Sequence, residues 1–249
     1  MDLFLFLLRP TPTLWTLALP HRTQILYNVD IGFIATMLRL KPGCRVVEAG
    51  TGSASLSHTM ARIIYNSDST NARRRGHLFT FEYHEQRFKD AREEFRRNGF
   101  DEQMITITHQ DVCANGFENK VETQEQMKGS IDAIFLDLPK PHECIQNVDR
   151  LLRKGGRFCG FSPCIEQIQK TADALRKNDF IEIRTFEVLN KVYREEKVNF
   201  QVPDFTFIKE APQPEPEDIN MSETSQAKPS KKKDKNSGES VFGPVREMR

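Results

Sequence analysis

Cysteine is scarce and scattered in this chain of 249 residues: Cys44, Cys113, Cys144, Cys159 and Cys164, none in a C-x-x-C pair. Such spacing predicts neither a disulfide framework nor a zinc site, so no metal is expected. It suits a reducing compartment. No apolar run approaches the ~20 residues of a membrane-spanning helix. Leu3–Leu8 is short and follows Asp2 instead of a basic region, which makes a poor signal peptide and reads as a leftover strand. Excess charge of either sign is missing too, with 36 Lys+Arg against 35 Asp+Glu. That balance argues against a protein that grips nucleic acid alone through a strongly basic surface. A hydrophobic fraction of 38% beside a charged fraction of 29% implies that part of the chain lies outside a packed core.

Composition separates that part. From Glu210 to Arg249 the chain is rich in Pro, Glu, Ser and Lys, with almost no large apolar residue before Val241. Such a segment buries too little surface to offset its ordering entropy, so residues 210–249 are expected to be a disordered charged tail. Its Lys231–Lys235 run has the composition of a nuclear localisation signal, or equally of a solvated charge cluster. The length otherwise predicts one sizeable domain, assigned here to residues 21–209, after a remnant and linker over 1–20.

Short apolar runs alternate with helical patterns through the middle. Strands are expected at Arg45–Val47, His77–Phe81, Met104–Thr108, Ile131–Leu136, Arg157–Phe161 and Ile181–Val188. Helices are expected over Gln24–Leu40, up to Ile64 after the first strand, over Glu85–Arg97 and over Glu166–Lys177. This order predicts an α/β fold, a mainly parallel sheet with helices on both faces. Ligands of such sheets bind beyond the carboxyl ends of the strands.

After the first strand comes Glu48-Ala49-Gly50-Thr51-Gly52-Ser53-Ala54. The glycines permit a tight turn and close approach of a ligand to a helix N-terminus. Alone, Gly-x-Gly also describes a plain βα turn. Glu48 shifts the balance, because a carboxylate repels a pyrophosphate but suits a ligand bearing an ammonium and a sulfonium. S-adenosylmethionine is therefore preferred to NAD. Glu82, ending the second strand, is placed to accept ribose hydroxyls. Asp111, past the third, is placed to hold an adenine amino group, or is a turn residue. Asp137, where a buried fourth strand opens, could accept a hydrogen bond from an exocyclic amine and stabilise the charge that develops as a ring nitrogen is alkylated.

Three stretches together resemble one family, the catalytic subunit of eukaryotic tRNA (adenine-58-N1)-methyltransferase. They are Thr11–Thr16 with Leu19–Tyr27; Asp137-Leu138-Pro139; and Phe161–Gln167. The resemblance runs from about Thr11 to Val198 and implies a Rossmann-like methyltransferase that methylates N1 of an adenine in tRNA. It also implies pairing with a related, non-catalytic RNA-binding subunit, usually two of each, and a nuclear location. Matched by motif, the cofactor site comprises Leu26, Gly50, Ser53, Ala54, Ser55, Glu82, Arg87, Asp111 and Val112, and Asp137 is catalytic. The RNA pocket draws on Gln24, Tyr27, Asn28, Leu138, Pro139, Ser162, Pro163, Cys164, Glu166 and Gln167. The chain departs from the family in Ala54 at the third glycine and in His142 where a Trp is usual. It also departs in lacking an N-terminal β-rich domain and a final strand, as expected of a partial chain.

The implied reaction is in-line displacement at a sulfonium methyl. Neutral adenine N1 carries its own lone pair, so no general base is required, but the base must be extruded from folded tRNA. Two other readings are a methyltransferase for protein or small molecules and a non-catalytic RNA-binding subunit. Retention of Glu48–Gly52 and Asp137 speaks against the last.

Overall fold

The computed structural model describes residues 5–70, 75–191 and 193–195. The chain divides into two compact units, residues 1–189 and 190–249. The expected tail, with Lys231–Lys235, lies outside the described residues.

In the first unit the order is α1 (Pro12–Ala18), α2 (Asn28–Met37), β1 (Arg45–Ala49), α3 (Ser55–Ile64), β2 (His77–Glu82), α4 (Glu85–Arg97), β3 (Ile105–His109), α5 (Val112–Asn115), α6 (Gln124–Met127), β4 (Ile131–Asp137), a 3-10 helix (Pro141–Cys144), α7 (Ile145–Leu151), β5 (Leu152–Phe161) and α8 (Ile165–Lys177). The five strands form one sheet in the order β3-β2-β1-β4-β5, all neighbours parallel. β1 is central, so chain order reverses between β2 and β4, and a crevice opens beyond the end of β1.

Alternation along the strands feeds two cores. Val46, Leu78, Ala133 and Phe135 pack on one face with Ile31 and Ile34 of α2, Met60 and Ile64 of α3, and Phe95 of α4. Val47, Phe79, Phe81, Ile134 and Leu136 pack on the other with Val112, Met127, Val148 and Leu151. Both faces are covered, which is why β1, β2 and β4 read as nearly unbroken apolar runs.

Local chemistry sets several ends. Thr11 caps α1 through its side chain, with Pro12 at the first helical position. His84 caps α4, which ends in Arg96 and Arg97, favourable at the carbonyl end of the helix dipole. Ala54 is left-handed at φ 62 and caps α3, so the third-glycine position keeps the backbone conformation a glycine would favour. His58, inside α3, locks that cap. Its Nδ1 lies 2.7 Å from the Ala54 carbonyl and its Nε2 2.9 Å from the Asn98 amide. Burial pushes its pKa down to about 4, so the ring is neutral.

Three expectations are corrected. Ile181–Val188 alternates in sequence but is not a strand: Ile181 is 84% exposed and Phe186 packs edge-on against Phe33 instead. Alternation supplies one apolar face, but a strand also needs a neighbouring strand to pair with, and these residues pair with none among the described residues. The first long helix begins at Asn28, not Gln24, and ends at Met37, because residues 22–26 run along the Gly50–Ala54 turn and bond to it. Leu5–Leu8 form no strand and are exposed, while Leu3 and Phe4 lie outside the described residues. By contrast, Pro12–Ala18 does more than link, since Thr16 is fully buried and bonds Ser55 of α3 at 2.9 Å.

Candidate active site

The ends of β1 and β4 meet first. Gly50 has φ +94, and a β-carbon there would lie 2.2 Å from the Asp137 carbonyl oxygen. Only glycine satisfies both the left-handed backbone and that approach. The turn continues through Gly52 at φ +54, where a β-carbon would come within 2.7 Å of Thr23 Oγ1. Its shape is fixed from outside. Ser53 Oγ accepts from the backbone N–H of Arg22 at 2.8 Å and of Thr23 at 3.0 Å. Arg22 reaches the Gly52 carbonyl at 3.4 Å and Glu94 of α4 at 2.7 Å. Ser55 Oγ donates to the Leu26 carbonyl at 3.1 Å. The Leu19–Tyr27 stretch that carried the family resemblance thus acts here as a splint for the glycine turn.

A half-open cleft with an internal volume of about 30 Å³ is lined by Gln24, Leu26, Glu48, Gly50, Ser53, Ala54, Ser55, Phe135 and Asp137, among others. Seven of the residues expected in the cofactor, catalytic and RNA sites therefore share one cleft. Glu82, at the end of β2, and Asp111, just past β3, do not line it.

Charge in this region is negative. Glu48 is 1% exposed, and its Oε2 accepts from Ser57 at 2.6 Å and Thr80 at 2.7 Å. Burial pushes its pKa up to about 7 against those hydrogen bonds, and the charges of Asp137 and Glu82 raise it further. The Asp137 side chain reaches solvent at the mouth of the cleft. Desolvation by the surrounding chain, then the Glu82 charge, still raises its carboxyl above the ordinary range. Of the three carboxylates only Glu82 is paired with a guanidinium among the described residues. Glu48 and Asp137, carboxyl groups with no cationic partner among the described residues, fit a cationic ligand and oppose a pyrophosphate. The donor set thus agrees with the cofactor chemistry expected from Glu48.

Glu82 is 2% exposed, with both oxygens bonded and acceptor capacity left only on Oε2. Its Oε2 accepts from Gly52 N–H at 2.9 Å, and its Oε1 from His84 N–H at 2.9 Å and from Arg87 at 2.7 and 3.0 Å. Glu82 and Arg87 stand beside the glycine turn as one unit. Asp111 Oδ1 caps α5 through the Cys113 and Ala114 N–H groups, so one of its oxygens serves the fold. Val112, beneath it, is 3% exposed and belongs to the second core.

On the substrate side, Gln167 of α8 donates to the Pro139 carbonyl at 2.9 Å, tying the Phe161–Gln167 stretch to the segment after Asp137. Gln167 Oε1 and His142 Nδ1 are buried and without a hydrogen-bond partner. Asp137 is in register with Phe161, whose ring is 40% exposed, so the two side chains share a face of the sheet. Leu138 packs partly against the second core, whereas Pro139, Pro163, Cys164 and Glu166 are exposed and Ser162 is half-buried. Tyr27 is 46% exposed, and Asn28 opens α2.

Sequence reasoning missed Arg22, Thr23, Ser57, Thr80 and Glu94. Thr51, Thr80, Glu48 and Ser57 form one buried chain of hydrogen bonds, with Thr51 Oγ1 and Thr80 Oγ1 2.7 Å apart. No spacing in the sequence announces it. A signal for Arg22 did exist, in its place within the Leu19–Tyr27 stretch.

A family model described as tRNA methyltransferase complex GCD14 subunit matches residues 3–249. A tRNA (adenine(58)-N(1))-methyltransferase catalytic subunit from Dictyostelium discoideum is 47% identical over 191 residues, covering 76% of this chain and 57% of its own length. Its counterpart from Candida albicans is 45% identical over 190 residues, covering 76% and 52%. The chain thus spans about half the length of the curated relatives it matches. A solved S-adenosylmethionine-dependent O-methyltransferase from Thermotoga maritima superposes with a TM-score of 0.61 at 30% identity, covering 74% of this chain and 62% of that one. A tRNA (m1A58) methyltransferase from Aquifex aeolicus, with a TM-score of 0.55 at 24% identity, covers 68% and 60% and shares the fold. With the parallel sheet, the glycine turn and Asp137 in place, the chain belongs to the family of the tRNA methyltransferase complex GCD14 subunit.

Proposed function

We propose that this chain is the catalytic part of a two-component S-adenosylmethionine-dependent enzyme that methylates N1 of adenine 58 in tRNA. The observation that carries this reading is the junction of Gly50 and Asp137, which sets a candidate catalytic carboxylate beside a cofactor-type turn at the centre of the sheet. The relatives named above support the substrate.

Bound in the cleft, S-adenosylmethionine supplies an electrophilic methyl group on a sulfonium. Glu48 and the backbone of the Gly50–Ala54 turn would hold its charged end, and Glu82, with Arg87 and Asp111, would hold its nucleoside end. Leu26 and Ser55 close the side of the cleft, and Val112 supports the turn from below. Asp137 accepts a hydrogen bond from the exocyclic amine of the extruded adenine, which fixes N1 toward the methyl and favours the cation that forms on the ring. No proton has to leave N1 before attack. Phe161 and Tyr27 offer ring surface to the base, and Gln24, Asn28, Leu138–Pro139 and Ser162–Gln167 border it.

The near-neutral charge supports leaving most phosphate contacts to a partner, which the resemblance implies to be a related, non-catalytic RNA-binding subunit, two of each. Arg75 adds little to such contacts, because it bonds the Ser69 carbonyl of its own loop and Gln103 of the turn before β3. A nuclear location accompanies this reading, with Lys231–Lys235 as its basis in the sequence. No described helix is long and apolar enough to cross a membrane.

Transfer of labelled methyl to a tRNA transcript, with and without the partner subunit, tests the proposal. Label in tRNA only with both components, and binding of tRNA by this chain alone about tenfold or more weaker than by the complex, is the expected pattern. Label entering protein or a small molecule instead, or tight tRNA binding by the chain alone, contradicts it.

A further inference from the structure

Cys113 and Cys144 lie 31 positions apart in sequence, yet the structure brings their sulfurs to 2.7 Å. Cys113 is the second residue of α5, two after Asp111, and is half-buried. Cys144 ends the 3-10 helix that follows Asp137 and is fully buried. The pair therefore joins the turn beyond β3 to the segment beyond β4, two strand ends that border the candidate site. The Lys140 carbonyl oxygen, 4.0 Å from Cys113 Sγ, belongs to the same junction.

We propose that Cys113 and Cys144 are an oxidisable dithiol, a disulfide-forming modification site that reversibly fastens the β3-end turn to the β4-end segment. The chemistry needs a two-electron oxidant of the peroxide class, and hydrogen peroxide serves. The Cys113 thiolate attacks one peroxide oxygen, the O–O bond breaks, hydroxide leaves, and Cys113 becomes a sulfenic acid. Cys144 sulfur then attacks the Cys113 sulfur and the S–O bond breaks. That oxygen departs as water with the Cys144 proton, leaving the S–S bond. Two thiols are oxidised and one peroxide is reduced to two waters.

The order of attack follows from access, since only Cys113 reaches solvent. The hydrogen bond from Cys144 also lowers the Cys113 thiol below its ordinary value and holds Cys144 above its own, so Cys113 is the sulfur that ionises more readily. A bonded S–S distance of about 2.05 Å requires only a small side-chain adjustment from the observed contact. The bridge therefore forms within the native fold and raises its stability by closing a loop in the unfolded chain.

The test is peptide mapping of the full chain after hydrogen peroxide is removed, with free thiols alkylated as the chain is unfolded in denaturant. The expected product is a dithiothreitol-reversible cross-link between tryptic peptides 98–120 and 129–150, with a melting temperature raised by about 5–10 °C. Cys113→Ser removes the cross-link and the shift. Cys144→Ser leaves a Cys113 sulfenic acid that dimedone traps. Should Cys144→Ser fold poorly, the half-buried Cys113→Ser still decides the matter. Recovery of both cysteines as alkylated thiols after peroxide, or a disulfide through another cysteine such as exposed Cys164, overturns the proposal. None of these readouts depends on methyl transfer, so failure here leaves the functional reading intact, and the reverse.

Discussion

Gly50 and Asp137 meet backbone to backbone, with no room for a β-carbon on residue 50 before the Asp137 carbonyl oxygen. One contact thus joins the cofactor-type turn to the candidate catalytic carboxylate, and any change at residue 50 moves residue 137.

Gly50→Ala accordingly combines a left-handed backbone with a clash against immovable main chain. The expected cost is about 3 kcal/mol or more, a fall in melting temperature of about 10 °C. Calorimetry of the variant checks this. A melting temperature within a degree or so of wild type would show that the β1–β4 junction is looser than described.

Glu48 gives the fold a pH dependence with a definite sign. Its folded pKa, near 7, lies above its ordinary value of 4.5. Its contribution to stability is therefore complete below pH 4.5 and lost as pH rises through 7, amounting to at most about 3 kcal/mol. Glu48→Gln keeps an acceptor for Ser57 and Thr80 but removes the titration. Its melting temperature should overtake that of wild type above pH 7, and parallel pH profiles for the two proteins would refute the assignment. A cationic cofactor favours the ionised form, so its binding below pH 7 should also release a proton, visible as a buffer-dependent heat.

Arg22 and Glu94 form a nearly buried ion pair, with side chains 14% and 10% exposed. Arg22→Ala leaves Glu94 unpaired in low dielectric, and about 3 kcal/mol should be lost. Removing both partners should restore part of that loss. A double-mutant cycle measures the coupling, and strict additivity would mean that the splint is not held by this pair.

Glu82→Gln removes the charge that holds Gly52 N–H, His84 N–H and Arg87 together. Affinity for S-adenosylhomocysteine should fall about tenfold or more by titration calorimetry, as for the loss of a charge-assisted hydrogen bond. Unchanged affinity would remove Glu82 and Arg87 from the cofactor site.

The sheet was legible because β1, β2 and β4 are buried on both faces and so print their burial as apolar runs. The glycine turn was legible because Gly50 answers a backbone demand that few other residues meet. Asp137 stood out as a carboxylate closing an apolar strand. What escaped was long-range. Glu94 looks like any acid on a charged helix, and nothing local says that Arg22 lies against it. Ile181–Val188 has the period of a strand, but pairing depends on a neighbour that period alone cannot specify. Cys113 and Cys144 carry no motif spacing, and only the docking of α5 against the 3-10 helix after β4 brings them together. Asp111 shows both sides at once: its position after β3 was readable, whereas its use as a helix cap was not.

The central claim is that Asp137 orients an adenine of tRNA for methylation at N1. Primer extension on tRNA incubated with S-adenosylmethionine, the partner subunit and either wild-type chain or Asp137→Ala tests it most directly. The account predicts arrest at adenine 58 with wild type and a rate lowered by about 10²–10³ in the variant, with S-adenosylhomocysteine binding retained. Arrest at 58 at a near-normal rate with Asp137→Ala, or at another adenine with wild type, would contradict it.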